Sequence, residues 1–464
     1  MLTTIYTDIA MKILISIGSL GLGGAEKQAV WLANNLSANH EVTLLTYYGG
    51  AREKDLGPKV NWRTLYQTQN DTKNQGFNSK ELQLEEELST SSEAISRECN
   101  SFIPTSKLNL LEDKVKTLFK NFPLTLKLLR YFYIKCMPLI QVVRSWSGLV
   151  REIALYLTLP KHRQNKKGQT NVFISARRIV KDVHPDLIIT FLFHDTLSIG
   201  LAGLTQINRP KLIVGRRSPI GYGDSSRKYF HRLALKIIYK FADLAVSNSS
   251  GNLESAIRDG VSKRKIIVIE NFVSKNNLSE VQTTKVEPLE ILCIANFHWY
   301  KNHEGLIRAV ATIPNHEKRF CITFVGDGPL LDVIRQLTSE LRVTSIFRGF
   351  LDNPSAEIPS FQALILVSHF EGSSNALLEG LVCGIPAVVS DVGSAQELLS
   401  QGAPLILCDS YDTSSIANAI IQLSENYEAL RREAGDFSTI LSESLSEDTV
   451  LKKWQEAIRK VTSS

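Results

Sequence analysis

Eleven short apolar runs, each closed by glycine or polar residues and separated by stretches of helical pattern, set the tightest limit on what this chain can fold into. Six stand in the first part, "MKILISIGSL", "HEVTLLTYY", "PDLIITFLF", "PKLIVG", "ADLAVSN" and "KIIVIEN"; five follow, "EILCIAN", "FCITFVGDG", "ALILVS", "PAVVSD" and "PLILCD". Runs apolar on both faces with helices between them are the pattern of a mostly parallel sheet covered on both sides. A chain of 464 residues is too long for one core, and two doubly wound α/β domains in series account for the two groups of runs.

The first domain is expected over 11–275, closing near Asn271. A polar linker follows, then a second domain over 288–445, with a final helix over 446–464. That helix carries Val450, Leu451, Trp454, Ala457, Ile458 and Val461 on one stripe. The ten residues before Met11 add no obvious element, and Met11 is the expected start of translation. The first strand leads through Gly21, Gly23 and Gly24 into a helix with Ala25, Ala29, Leu32, Ala33 and Leu36 on one face. After "HEVTLLTYY" the pattern stops, so a long insertion is expected over about 50–170, first polar and acidic, then basic.

Composition narrows the class. With 43% hydrophobic and 22% charged residues the chain reads as globular. No uncharged apolar run is long enough for a membrane span, and the first ten residues contain no basic residue of the kind that opens a signal peptide. The six cysteines lie at least 25 residues apart without metal-ligand spacing, as buried reduced thiols of a cytoplasmic protein would. The net charge of +6 is concentrated: 114–167 hold twelve Lys and Arg against the single acid Glu152.

In open α/β sheets ligands sit outside the carboxyl ends of the strands, so the loops after the strands carry the candidates. In the first domain these are Gly23 and Gly24, His194 with Asp195, Arg216 with Arg217, and Asn271. In the second they are Lys301, Gly326 in "GDGP", the stretch "HFEGSSNALLEG", and "SDVGSAQE" ending at Glu397. If the helix after "HFEG" starts near Ser373 or Ser374, Glu371 stands in the loop and Glu379 about two turns inside. The amides of Ser374, Asn375 and Ala376 then lie between two carboxylates, at a helix N-terminus suited to a diphosphate. Glu379 is flanked by Leu377, Leu378, Leu381 and Val382, and a carboxylate buried there needs a partner, for which a sugar hydroxyl would serve. Two carboxylates flanking a phosphate site describe a nucleotide-sugar pocket. They are poorly spaced for a retaining glycosidase, whose two carboxyls stand about 5 Å apart.

The stretch "HFEGSSNALLEGLVCGIPAVVSDVGS" resembles the E-x7-E segment of retaining glycosyltransferases of family 4, which have the two-domain GT-B fold. "ILISIGSLGLGGAEKQAVWLANNL", "AVSNSSGNLESAIRDGVSKRKIIVIENFVS" and "ILCIANFHWYKNHEGLIRAV" with "FVGDGP" resemble other parts of the same family. The resemblance implies two Rossmann-like domains facing a cleft, the final helix crossing back to the first domain, and transfer of a hexosyl or N-acetylhexosaminyl group to an acceptor hydroxyl. It implies a nucleotide-diphosphate sugar as donor, UDP-linked, and neither cofactor nor metal. Lys301 would neutralise the diphosphate, Glu371 would contact the donor sugar, Glu379 the ribose, and His194 would lie near the transferred sugar. Gly23 and Gly24 would approach the phosphates and acceptor, while Asn271 and Gly326 would shape the cleft. The sequence has no Asp-x-Asp pair, consistent with a diphosphate held by Lys301.

Many relatives carry an arginine five residues before the lysine, where this chain has Asn296. Either Arg216 or Arg217 replaces it, or donor binding is weak. The alternative function is a non-catalytic nucleotide-sugar-binding subunit of a transferase complex. A nucleotide-sugar epimerase shares the architecture but should lack this set of residues. Nucleic-acid binding is suggested only by the basic segment and is not expected. That segment interleaves lysine and arginine with aromatic and aliphatic residues, which suits an anionic membrane surface and a lipid-linked or surface-glycan acceptor; packing on the first domain is the other reading. Each basic residue near an anionic leaflet contributes about 1 kcal/mol. In liposome sedimentation the protein should pellet with anionic vesicles at low salt and lose most of that binding when 114–167 are replaced by a short linker. Equal binding to neutral and anionic vesicles would make the segment a packing element.

Overall fold

The apolar runs all lie in strands, and every strand pairing among the described residues is parallel. The structure is a computed structural model that describes residues 10–66, 172–217, 235–274 and 287–463. The basic segment 114–167 and most of the interdomain linker lie outside the described residues.

The first sheet contains β1 (Lys12–Ile17), β2 (Glu41–Thr46), β3 (Asn61–Thr64), β4 (Leu187–Thr190), β5 (Lys211–Arg216), β6 (Leu244–Ser247) and β7 (Ile266–Val268), in the order β3-β2-β1-β4-β5-β6-β7. The second contains β8 (Leu289–Ile294), β9 (Phe320–Val325), β10 (Ser345–Gly349), β11 (Ala363–Leu366), β12 (Ala387–Ser390) and β13 (Leu405–Cys408), in the order β10-β9-β8-β11-β12-β13. Chain direction across each sheet reverses beside its first strand, between β1 and β4 and between β8 and β11. Those two switch points are where a doubly wound sheet opens a crevice.

Two edge strands escape the apolar pattern. β10 alternates between exposed and partly buried residues, and β3 is only partly buried, because each covers one flank of its sheet and faces solvent on the other. β3 pairs with β2 from Thr43↔Asn61 onward, and Ala51–Asp55 form a short 3₁₀ helix. The regular fold therefore does not stop at residue 50; it continues to the last described residue before the insertion, Tyr66.

Apolar side chains fill both faces of each sheet. On one face of the first sheet the Gly24–Leu36 helix packs beside the final helix, Glu447–Thr462. Val450, Trp454, Ala457, Ile458 and Val461 are buried there with Ile13, Ile15, Leu32 and Phe191, and the Trp454 and Phe191 rings stack at 6.0 Å. Trp31 Nε1 donates to Glu447 at 3.0 Å, and Lys453 pairs with Glu270 at 2.7 Å. The last helix is thus part of the first domain's core, although the Tyr427–Ser444 helix before it packs on the second domain.

Beneath the loop that carries Lys301, His303 begins the His303–Thr312 helix, buried and stacked on Phe297 at 4.3 Å. Burial first, then the charges of Lys301 and His298, push its imidazole down to about 3. The folded chain holds His303 neutral, while the unfolded chain takes up a proton below its ordinary value near 6.5. Stability is therefore complete above about pH 6.5 and is lost as pH falls toward 3. Urea titrations should show His303→Gln with a flatter profile below pH 6.5, by up to about 1.4 kcal/mol per pH unit. Parallel profiles would place the acid sensitivity elsewhere.

Candidate functional site

The carboxyl ends of both sheets meet at one pocket of about 520 Å³. The first domain lines it with Gly23, Gly24 and Lys27, with Arg52, and with Arg217 and Asn271; the second adds Asn296, Lys301, Gly326, Glu371, Glu379 and residues 373–376. Twelve of the residues singled out from sequence meet there, Asn296 included; His194, Asp195, Arg216 and Glu397 do not line it.

Local chemistry explains the positions. The Asn375–Val382 helix starts after Ser374, whose side chain makes no capping hydrogen bond, so the first amides have no side-chain acceptor from their own cap, and Ser374, Asn375 and Ala376 line the pocket. Glu379 lies four residues past the first residue of this helix, a little more than one turn, rather than two turns in. It is buried, as the leucines around it require. Glycines stand where the domains touch. A Cβ on Gly24 would collide with the Asn375 side chain, and one on Gly372 with the Arg217 carbonyl. Gly326, at φ +147°, lies against the Ala295 carbonyl, where a side chain would not fit.

Among the described residues four cations line the pocket, where the sequence pointed to Lys301 and to one of Arg216 and Arg217. Lys301 is ion-paired with Glu371, which also accepts from Ser368 Oγ at 3.1 Å. Burial alone would lower the lysine's pKa, but the adjacent carboxylate outweighs it and leaves it raised, so Lys301 stays protonated at neutral pH. Lys27 Nζ lies 2.6 Å from Glu379 Oε1 across the cleft. Arg217 donates to Asn271 Oδ1 at 2.5 Å and lies over the Phe191 ring at 4.7 Å; Asn271 Nδ2 in turn donates to Asn375 Oδ1 at 2.6 Å. Burial pushes Arg217 down to about 10, which leaves it charged at neutral pH. Arg52 completes the set, with Nη1 3.1 Å from Asp55.

Arg216 and His194 depart from expectation. Arg216 is buried in an ion pair with Asp259 and bonds Ser255 at 3.2 Å, so the internal pair, rather than the pocket, takes its charge. His194 is exposed, its carbonyl accepts from Tyr47 at 3.0 Å, and it does not line the pocket. The adjacent Asp195 is wholly buried and accepts from the Leu192 amide at 3.1 Å. Among the described residues no grouping of His, Cys, Asp and Glu is arranged to hold a metal ion, and no helix is long and apolar enough to cross a membrane.

The sequence and the fold have relatives. Residues 288–426 match the family described as glycosyl transferases group 1. The group 1 domain thus contributes Lys301, Gly326, Glu371 and Glu379. Over 174 residues the chain is 30% identical to N-acetylgalactosamine-N,N'-diacetylbacillosaminyl-diphospho-undecaprenol 4-alpha-N-acetylgalactosaminyltransferase of Campylobacter jejuni, covering 36% of this chain and 47% of that one. Over 148 residues it is 31% identical to N-acetyl-alpha-D-glucosaminyl L-malate synthase of Bacillus anthracis, covering 32% and 38%. The chain therefore spans about half or less of the length of these curated relatives. The crystal structure of Anabaena HepE in complex with UDP superposes with a TM-score of 0.64 at 17% identity, over 97% of this chain and 99% of that one, and shares its GT-B fold.

Sequence reasoning missed Lys27, Arg52 and the role of Glu397. Lys27 follows the glycine loop by one helical turn, a position visible in the sequence, but nothing there shows that it crosses to Glu379. Arg52 lay in what composition made an insertion. Glu397 accepts the Ser250 amide at 3.1 Å and its hydroxyl at 2.8 Å, so the second domain supplies acceptors to the start of the Ser250–Arg258 helix of the first. Ser249 Oγ also donates to the Gly372 carbonyl at 3.0 Å. Because Gly372 sits against backbone, Gly372→Ala should force the domains apart: small-angle scattering should give a larger radius of gyration with the far-ultraviolet circular dichroism unchanged. A wild-type radius would mean that the contact relaxes locally.

Proposed function

We propose that this protein is a retaining glycosyltransferase of family 4 that moves a hexosyl or N-acetylhexosaminyl group from a nucleotide-diphosphate sugar to an acceptor hydroxyl. The observation that carries the reading is one pocket in which Glu371 and Glu379, four cations and a helix N-terminus converge at the carboxyl ends of both sheets. The cations and amides suit a diphosphate, and the carboxylates suit the hydroxyls of a sugar and a ribose. Support also comes from the group 1 domain and from the HepE structure, solved with UDP, which makes a UDP sugar the first donor to try. The Campylobacter relative's name sets its acceptor on diphospho-undecaprenol, which favours a lipid-linked glycan precursor as acceptor here.

In the proposed reaction the diphosphate takes up negative charge as the glycosidic bond lengthens. Lys301, the helix amides and Arg217 stabilise that charge. Arg217 supplies from the first domain the guanidinium that Asn296 lacks in the second. Lys301 begins paired with Glu371, so the donor divides this pair, drawing the ammonium to its phosphates and the carboxylate to its sugar hydroxyls. Asn271 holds Arg217 and the first residue of the helix in one hydrogen-bonded line. His194 enters this mechanism only through movement toward the cleft.

The test is a panel of UDP, ADP and GDP sugars, screened by calorimetry and then by transfer to lipid-linked acceptors. One nucleotide sugar should bind and be turned over, and Lys301→Ala should reduce turnover about a hundredfold or more. Activity of that variant within threefold of wild type would remove Lys301 from the chemistry. Binding with neither hydrolysis nor transfer would favour the donor-binding subunit.

A further inference from the structure

We infer that Lys27 is a positioning residue that sets the ribose selectivity of the nucleotide site by holding Glu379 from the opposite domain. The inference rests on reading the pocket as a nucleoside diphosphate site. The Glu379 side chain is 8% exposed and lies in a helix whose neighbours Leu377, Leu378 and Leu381 are buried, so its charge needs a partner inside the protein. The partner is Lys27 Nζ, 2.6 Å from Oε1, and it belongs to the other domain.

Lys27 is firmly placed. The next residue on its helix, Gln28, exchanges two hydrogen bonds of 3.1 Å with the backbone of Phe272, and Trp31 stacks on the Phe272 ring at 4.3 Å. The start of the same helix touches Asn375 through Gly24, and the Lys27 ammonium stands 6.0 Å from the Phe272 ring. A carboxylate held at Oε1 by such an ammonium keeps its charge inside the pocket and leaves Oε2 as the acceptor for a ribose hydroxyl. Both residues line the pocket, so a nucleotide meets the pair and not a free carboxylate. The ribose site is therefore complete only while the domains are closed on each other, and nucleotide binding and closure reinforce each other.

Calorimetry of the full chain separates this role from a direct phosphate contact. The probes are UDP, ADP and GDP, followed by the 2′,3′-dideoxy form of whichever binds best. Lys27→Met should weaken the ribonucleotide by about tenfold or more and the dideoxynucleotide little, so that selectivity between them collapses, while Lys27→Arg should keep most of it. Because Lys27→Met leaves Glu379 buried without a counter-charge, the double variant Lys27→Met with Glu379→Gln guards against a folding defect. It should bind within threefold of Glu379→Gln alone. Equal losses for both nucleotides that persist in the Glu379→Gln background would show Lys27 on the phosphates and overturn the inference, as would an unchanged affinity in Lys27→Met. A wild-type chain that binds none of the three nucleotides would overturn the pocket reading and this inference with it.

Discussion

Two wholly parallel sheets, each reversing its winding beside its first strand, impose the constraint on which the rest of the molecule depends. Every strand in such a sheet points the same way, so the loops that leave the strands gather at one edge, and the reversal parts them into a crevice. Two crevices facing each other make a pocket whose walls come from segments far apart in the chain. Lys27 and Glu379 are 352 residues apart in sequence and 2.6 Å apart in space. The cost is that neither domain holds a finished site.

Electrostatics follow from that geometry. Carboxylates set among leucines or at a half-buried loop cannot stand alone, and the fold answers each with a lysine: Glu371 with Lys301 from its own domain, Glu379 with Lys27 from the other. The two pairs differ in consequence. The first joins two residues of one domain, whereas the second joins residues of both. Glu397, which accepts from Ser250 across the same junction, and the glycines that let Gly372 approach Arg217 and Gly251 approach Gly393 extend the contact on one side of the pocket. The final helix stabilises the arrangement differently, by burying Trp454 in the first domain after the chain has left the second.

Much of this was legible in the residues. Apolar runs without alternation announced central parallel strands, and the loops after them held the glycines, the lysine and the carboxylates. The edge strands β3 and β10 were not legible, because a strand covered on one flank carries polar residues that break the run. Arg52 was lost with β3 for that reason, since it sits just before a strand that the pattern did not reveal. Arg216 and Arg217 could not be told apart in sequence: adjacent residues at the end of β5 point to opposite faces of the sheet, one to Asp259 and one to the pocket.

By itself the sequence determined the number of sheets, their parallel sense, the edge at which chemistry would gather, and the E-x7-E stretch around a helix start, because these depend on residue periodicity and nearest neighbours along the chain. Tertiary structure alone decided which charges meet. Ion pairing across a cleft depends on the relative placement of two domains, and no local pattern encodes a distance between side chains hundreds of residues apart. The lysine that answers Glu379 is therefore visible as a residue in the sequence and as a partner only in the fold.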